Sequence, residues 1–334
     1  MRIRWESITL GIFVTLVHFR HFFINFTNDN CCDMIHPPFI QEGDKIALIS
    51  VAGIVNRENV GKAKLLLETE GFVAVVGPHA FDKHNIFAGT DTDRALDMQR
   101  ALDDPEIKAI FFTRGGYGSL RTLMLLDWNG FLRSPKWLIG FSDITVFHAC
   151  LSTMKVASIH GVMPSFFFEN GERSESFDQL LDLLRGKSLN YQIPHNPLNL
   201  TGSCSGELVG GNLSLLISLR GTPLGQSFDG KVLFIEDISE YDYHIDRMMM
   251  NLKFSGALSN LAGMIVGYFT DTKSGGTPFG TDAYGIIRDA VDGYGFPVVF
   301  GFPAGHEIPN YPLLMGSEIS MDISTERVLI EQLF

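Results

Sequence analysis

The first half of the chain alternates short apolar runs with longer segments in which apolar residues recur every three or four positions. The short runs predict buried strands at residues 45–53, 72–76, 107–112 and 137–143. The longer segments predict helices at residues 58–70, 91–102 and 144–154, with a further helix that begins at Ser119. Strands that alternate with helices over short connections predict a mostly parallel sheet, with ligands bound at the carboxyl ends of its strands.

The pattern changes after about residue 165. A short helix over residues 176–184 leads into a polar stretch with several prolines, which we interpret as an interdomain connection. Beyond it, helices are predicted after Gly210-Gly211 and over residues 241–254 and 281–291, and strands over residues 231–237, 263–269, 297–302, 318–321 and 328–330. This second part is therefore expected to be smaller, mixed and rich in strands.

These elements predict an α/β protein of two domains. The first would hold a parallel sheet of the flavodoxin-like or glutamine-amidotransferase-like kind, and the second would be a smaller mixed α/β domain. The expected divisions are a leader or non-native extension (1–33), the N-terminal α/β domain (34–170), the connection (171–204) and the C-terminal domain (205–334).

The leader has two arginines, Arg2 and Arg4, before the apolar residues 8–17, as in a signal peptide. It is too short to predict a membrane span, and no small-residue cleavage site follows. An uncleaved anchor, a signal peptide and a non-native extension before a true start at Met34 all remain open. We favour the last, because the globular pattern begins right after Met34. The expected compartment is then the cytoplasm, with anchoring or export as the alternatives.

Composition excludes some classes of function. The chain has 334 residues, of which 45% are hydrophobic and 19% charged, enough for a substantial core. Its net charge of -12 argues against a nucleic-acid partner, because binding phosphates requires an excess of Lys and Arg. The four cysteines show neither metal-ligand spacing nor a disulfide framework, so neither a metal nor a cofactor is predicted.

A glycine-rich turn is the main candidate for chemistry. Residues 114–121 (RGGYGSLR) join a predicted strand to a predicted helix and place Ser119 at the turn. Glycines permit a tight turn, and the free N–H groups of the next helix could stabilise an oxyanion. This predicts acyl transfer by a serine nucleophile. A phosphate-binding turn and a plain turn with a capping serine are the alternatives, although the P-loop and dinucleotide patterns are incomplete.

A serine nucleophile needs a base and an orienting acid. His306 is the best candidate base, because it follows a buried strand and enters an irregular Pro-rich loop, and His160 is the second. Glu236 is the best candidate acid, because it ends the most apolar strand of the second domain, where a carboxylate needs a partner. The rival acids are Asp237, Glu240 and Asp246.

Several ordered motifs carry a resemblance to a known family. They are the RGGYGS turn, residues 139–145 (IGFSDIT), residues 210–214 (GGNLS), residues 230–237 (GKVLFIED), and Gly305-His306 with Pro309-Asn310. Through them the chain resembles the LD-carboxypeptidase family of serine peptidases, which includes murein tetrapeptide carboxypeptidases and microcin C self-immunity peptidases. The resemblance runs from Gly43 almost to the C-terminus and leaves out the leader.

The resemblance implies a catalytic triad. Ser119 would be the nucleophile, His306 the general base and later acid, and Glu236 the residue that orients His306. Backbone N–H groups near Gly116 and Leu120 would form the oxyanion hole.

The resemblance also implies a substrate. The family cuts the amide between an L-centre, usually that of meso-diaminopimelate, and a terminal D-alanine in cytoplasmic murein recycling. Arg114 and Arg121 flank the turn and are the candidates for binding the terminal carboxylate, with a solvated surface position as the alternative for each, and Asn212 is placed in the substrate site. Asp143 would either bind the polar diaminopimelate end or cap its own helix.

Two other functions stay open, a microcin C-type peptidyl-nucleotide hydrolase and a non-catalytic ligand-binding homologue. The expected partner is a small peptide substrate, with a homodimer expected from the relatives and membrane contact expected only through the leader.

Overall fold

The computed structural model describes residues 33–332 and 334, so the predictions for the leader lie outside the described residues. The first half of the chain forms alternating strands and helices. Its strands are β1 (Lys45–Ile49), β2 (Val73–Val76), β3 (Ile107–Phe112), β4 (Trp137–Gly140) and β5 (Ser158–His160). Its helices are α1 (Arg57–Thr69), α2 (Asp91–Asp103), α3 (Ser119–Leu123), α4 (Asn129–Arg133) and α5 (Thr145–Thr153). Single 3₁₀ turns at Ser142–Ile144 and Pro164–Phe166 follow β4 and β5.

The second half contains more strand. Its strands are β6 (Phe168–Glu169), β7 (Glu172–Arg173), β8 (Leu189–Pro194), β9 (Gly202–Asn212), β10 (Val232–Ile238), β11 (Gly263–Thr270), β12 (Val298–Phe300), β13 (Leu313–Met315), β14 (Glu318–Ile323) and β15 (Arg327–Gln332). Its helices are α6 (Glu175–Leu184), α7 (Leu213–Leu219), α8 (Asp242–Phe254) and α9 (Ala283–Val291).

Two large sheets form the frame. The first has the order β13-β5-β4-β3-β1-β2, in which every pair is parallel except the antiparallel pair of β13 and β5. The second has the order β12-β11-β10-β9-β14-β15-β8, with a parallel part through β9 and an antiparallel part beyond it. The prediction of an α/β fold with a parallel sheet and a second, strand-rich sheet is confirmed.

One hydrophobic core joins the two sheets. Phe111 and Ile139 from the first sheet belong to the same buried cluster as Phe234 and Ile265 from the second. Because burial of apolar surface is the main stabilising term in folding, this shared core fixes the two sheets against each other. Residues at the ends of β4 and β10 can therefore meet.

Strands β7 and β8 and the start of β9 lie within residues 171–204, where the sequence indicated a connection. Strand β8 alternates strictly, with Leu189, Tyr191 and Ile193 buried and the residues between them exposed. Strand β9 is rich in Gly and Ser, which have low strand propensity, so its pattern does not predict a strand. Its glycines allow close approach, since a Cβ on Gly210 would collide with the backbone of Phe234. Within the described residues, no helix has the length and apolar character needed to cross a bilayer.

Candidate active site

A strained turn after β4 carries Ser142. The backbone of Ser142 has φ of +65°, a left-handed conformation that a non-glycine residue rarely adopts. The turn lies between a buried strand and α5, and it leaves the serine half-buried at the carboxyl end of the parallel sheet. A serine held in a strained strand-to-helix turn is the arrangement of a nucleophile elbow.

His306 joins Ser142 to Glu236. Its Nε2 lies 3.0 Å from Ser142 Oγ, and its Nδ1 lies 2.7 Å from Glu236 Oε2. Glu236 is fully buried on β10, and His306 stands in the loop that follows β12. Neighbouring Gly305 has φ of +134°, and a Cβ there would come within 3.2 Å of Glu236 Oε2. The loop therefore needs glycine at this position to bring the imidazole against the carboxylate.

The surroundings set the charge of His306. Burial lowers its pKa, but the hydrogen bond and negative charge of Glu236, with a smaller effect of Asp237, outweigh burial and raise the pKa above its ordinary value. Asp237 itself does not bind His306; it accepts hydrogen bonds from Asn212 Nδ2 and the Ser214 N–H. Burial, aided by the charge of Glu236, raises the pKa of Asp237 to about 7.

Ser119 is placed differently from the prediction. Its side chain is fully buried, and its hydroxyl oxygen has no hydrogen-bond partner among the described residues. Its backbone N–H donates to Asp143 Oδ2 at 2.8 Å. The expectation that His306 would contact Ser119 is wrong, because the serine at the end of β4, and not the one after β3, reaches the imidazole.

In the RGGYGS turn, Gly115 lies against Ser142 instead of exposing Ser119. A Cβ on Gly115 would lie 3.0 Å from Ser142 Cβ and 3.1 Å from its Oγ. That separation is tighter than ordinary packing allows, so a side chain at this position would displace Ser142. Gly115 thus leaves room for Ser142, whereas Gly116 and Gly118 adopt φ angles of +103° and +126°, which favour glycine.

Two of the residues predicted to bind substrate are buried structural groups. Asp143 accepts the Ser119 N–H and so caps α3, neither binding the cleft nor capping its own helix as expected. Asn212 caps α7 through the N–H of Leu215 and donates to Asp237, and its own N–H donates to Thr145. Both side chains are almost completely buried, which contradicts a role in contacting substrate.

Ser142 and His306 open into a cleft of about 470 Å³. Arg114, Gly115 and Gly116 line it beside them, and the role expected for Arg114 stays a prediction. Its other polar lining residues are Asn56, Asn59, Thr113 and Ser165. Leu120, predicted for the oxyanion hole, is not part of the lining, because it follows Ser119 on α3.

A possible metal-binding group lies outside this cleft. Among the described residues, His79, Asp82 and Asp93 have ligand atoms within 4.8 Å of one another. His79 already binds Asp82, and Asp93 completes the capping box of α2 with Thr90. These contacts explain the group as local structure.

Two parts of the chain match models of known protein domains. Residues 46–161 match the model of the LD-carboxypeptidase N-terminal domain, and residues 205–321 match that of the LD-carboxypeptidase C-terminal domain. The chain belongs to the LD-carboxypeptidase family. It is therefore an enzyme, a serine-type peptidase, and the resemblance found in its motifs is confirmed.

Individual relatives agree with this assignment. A Bacillus subtilis (strain 168) protein named "Probable murein peptide carboxypeptidase" is 31% identical over 302 residues, covering 88% of this chain and 94% of that protein. The Escherichia coli microcin C7 self-immunity protein MccF is 24% identical over 328 residues, covering 87% and 94% respectively. The crystal structure of muramoyltetrapeptide carboxypeptidase from Oxalobacter formigenes matches with a TM-score of 0.79 at 26% identity, over 87% of this chain and 99% of that one.

Sequence reasoning missed Ser142 in this LD-carboxypeptidase although a signal was present. Residues 137–145 also run from a buried strand through Gly140 and Ser142 into a helix, as a G-x-S turn does. The three glycines around Ser119 were the stronger local signal. Ser142, the neighbour of Gly115, lies in the turn that follows the adjacent strand β4.

Proposed function

We propose that this LD-carboxypeptidase releases the terminal D-alanine of a murein tetrapeptide by hydrolysing its L,D amide bond, with Ser142 as the nucleophile. The observation that carries the proposal is the continuous chain of hydrogen bonds from Ser142 through His306 to Glu236 at the edge of an open cleft. The names of the similar proteins supply the substrate class. Nucleophile, base and orienting acid are all within hydrogen-bond distance in the order that acyl transfer requires.

In the proposed first step, Ser142 Oγ attacks the carbonyl carbon while His306 Nε2 accepts the serine proton. The tetrahedral intermediate carries its negative charge on the former carbonyl oxygen. The backbone N–H groups of Gly116 and Asp143 are the donors we assign to it, since Gly116 lines the cleft and Asp143 directly follows the nucleophile.

The intermediate collapses when His306 returns the proton to the departing D-alanine amine, which leaves an ester on Ser142. A water molecule then attacks the ester carbonyl, His306 accepts its proton, and the proton is finally donated to Ser142 Oγ as the ester bond breaks. Glu236 accepts the Nδ1–H of His306, which fixes the tautomer and stabilises the imidazolium.

Arg114 suits the free carboxylate of the substrate. Among the described residues that line the cleft, it is the permanently charged one, and no Asp or Glu lines the same space. Its Nη1 donates to the carbonyl oxygen of Ile54 at 2.6 Å, which anchors the guanidinium at the cleft. A cation fixed beside Gly115 and Gly116 would select a peptide whose last residue keeps its carboxylate.

The direct test measures D-alanine released from the tetrapeptide L-Ala-D-Glu-meso-diaminopimelate-D-Ala. We expect release from this peptide and little from the same peptide ending in L-alanine or in a D-alanine amide. An aminoacyl sulfamoyl adenosine, the ligand type of MccF, is the competing substrate. Faster hydrolysis of that compound would contradict the murein assignment and favour the microcin-type alternative. Cytoplasmic recycling and a homodimer stay predictions.

The raised pKa of His306 predicts the pH dependence. Neutral imidazole is needed to accept the serine proton, so kcat/KM falls as pH drops through the pKa of His306. Because Glu236 raises that pKa above its ordinary value of 6.5, we expect the acid limb to lie above pH 6.5. The measurement is kcat/KM for D-alanine release from about pH 5 to 9. A profile without an acid limb in this range would contradict the role of His306 as base.

A further inference from the structure

A second histidine is buried near the catalytic centre and has no assigned role. His160, at the end of β5, is fully buried, and neither ring nitrogen has a hydrogen-bond partner among the described residues. Rings surround it: Phe234 at 4.8 Å, Phe141 at 5.8 Å and His148 at 6.4 Å between centroids. A buried imidazole without hydrogen-bond partners costs folding free energy, so its presence calls for an explanation.

Asn310 is the polar group that faces His160. It lies three residues before Leu313, which pairs with His160 where β13 meets β5, and its Nδ2 is buried without a partner in the described part of the chain. Its other contacts are made: Oδ1 accepts the Gly305 N–H at 3.0 Å, and its backbone N–H donates to Ser176 Oγ at 2.8 Å. A donor without an acceptor therefore faces a ring that has an acceptor nitrogen to offer.

His160 and Asn310 each contact a residue next to the catalytic centre. Asn310 contacts Gly305, and His160 contacts Phe141. Asn310 holds the N–H of Gly305, the residue whose conformation delivers His306 to Glu236. His160 packs on Phe141, which precedes Ser142 and lies edge-on to the His306 ring at 4.9 Å. The second carboxylate oxygen of Glu236, Oε1, is also buried and unpartnered in the described residues. Glu236, His160 and Asn310 thus each have a buried polar atom without a partner among the described residues.

We propose that His160 and Asn310 form a buried polar pair, joined directly or through one internal water, that positions His306 between Glu236 and Ser142. The Asn310 amide donates to a neutral His160 ring nitrogen and, through Gly305, fixes the loop that carries His306. Both are positioning residues, since neither lines the cleft. Internal waters commonly bridge buried polar groups that have no protein partner. The proposal rests on the proposed function.

The test replaces each member by an apolar residue of similar shape, His160→Phe and Asn310→Leu. We expect kcat for D-alanine release to fall on the order of 10- to 100-fold with KM little changed, since a misplaced base slows chemistry rather than binding. The double variant should be about as slow as the slower single one, because both remove the same contact. His160→Gln, which keeps a donor and an acceptor, should recover most of the activity.

A spectroscopic readout separates positioning from mere packing and needs no substrate. In protein labelled with ¹⁵N at histidine, the titration of His306 is followed by NMR. The charged and titratable groups facing His306 are Glu236 and Asp237 from β10 and His160 from β5. In both apolar variants we expect its pKa to drop, because a displaced ring loses its hydrogen bond to Glu236.

Trp128→Phe is the matched control, because Trp128 also buries a ring nitrogen without a partner among the described residues, but packs on Phe131 and Phe147. It should leave kcat and the His306 titration unchanged. Unchanged kcat and titration in folded His160→Phe would overturn the proposal. If His160→Phe does not fold, two other results would overturn the proposal. One is a loss of activity in His160→Gln, and the other is full activity in Asn310→Leu. Absence of D-alanine release by the wild type would instead refute the proposed function and leave the titration experiment valid.

Discussion

Replacing Ser142 by alanine is expected to reduce kcat for D-alanine release on the order of 10⁴-fold or more, since no other hydroxyl lies against His306 Nε2 among the described residues. The loss follows from removing the atom that forms the ester, while the cleft that binds substrate stays intact. Binding of the tetrapeptide, measured by calorimetry, should therefore remain. A fluorophosphonate probe should label the wild type at Ser142, as located by mass spectrometry of the digested protein, and should not label the variant.

Ser119→Ala is the matched control, because it makes the same change at the neighbouring strand end. We expect it to retain kcat within a few-fold, since the Ser119 hydroxyl makes no hydrogen bond in the described structure and its N–H contact to Asp143 survives the change. The reverse outcome, an inactive Ser119→Ala with an active Ser142→Ala, would restore the hypothesis drawn from the glycine-rich turn and reject the one drawn from geometry.

The comparison of these two serines shows where sequence reasoning reaches its limit. Each follows a buried strand and precedes a helix, so the local pattern permits either as a nucleophile. What separates them is the pairing of β3 with β4, which places Gly115 directly beside Ser142. A glycine-rich turn indicates that another group packs closely against its backbone, but the sequence alone does not identify that group.

His306 and Glu236 were easier to find because each is unusual in its own surroundings. A carboxylate at the end of an apolar strand needs a partner wherever the strand lies, and an irregular loop after a buried strand is a common place for a functional histidine. The structure brings these two side chains into contact. Asp143 and Asn212 were placed in the substrate site from their motifs, but their actual partners, Ser119 and Asp237, are visible only in three dimensions.

The fold was predicted where hydrophobic periodicity is strong. Most N-terminal strands and helices were found with small differences at their ends, because buried apolar runs alternate there with amphipathic segments, but α4 (Asn129–Arg133) was not predicted. Strands β8, β9 and β13 were missed for different reasons: β8 lies in a proline-containing polar stretch, β9 is rich in glycine and serine, and β13 is very short. Their strand conformation comes from pairing with partners distant in the chain.

Glu236→Gln is expected to have the second largest effect, lowering kcat/KM for D-alanine release by about 10²- to 10⁴-fold. Glutamine has nearly the same shape, so the core around β10 should stay folded. It has no negative charge to stabilise the imidazolium, and its amide can present an N–H to Nδ1 and select the wrong tautomer. The measurement is kcat/KM as a function of pH, because the loss of charge also lowers the pKa of His306 and moves the acid limb to lower pH.

Asp237→Asn is the matched control for Glu236→Gln. It shows whether the loss of kcat/KM is specific to Glu236 or follows from removing any buried carboxylate on β10. Asp237 is the next residue along β10 and equally sheltered, but its hydrogen bonds go to Asn212, Ser214 and Ile238 and not to His306. Its charge adds only a minor part to the raised pKa of His306, so its removal should shift the acid limb in the same direction but less. Equal losses of kcat/KM in the two variants would mean that β10 supplies general electrostatic support, and Glu236 would then lose its role as the residue that orients the base.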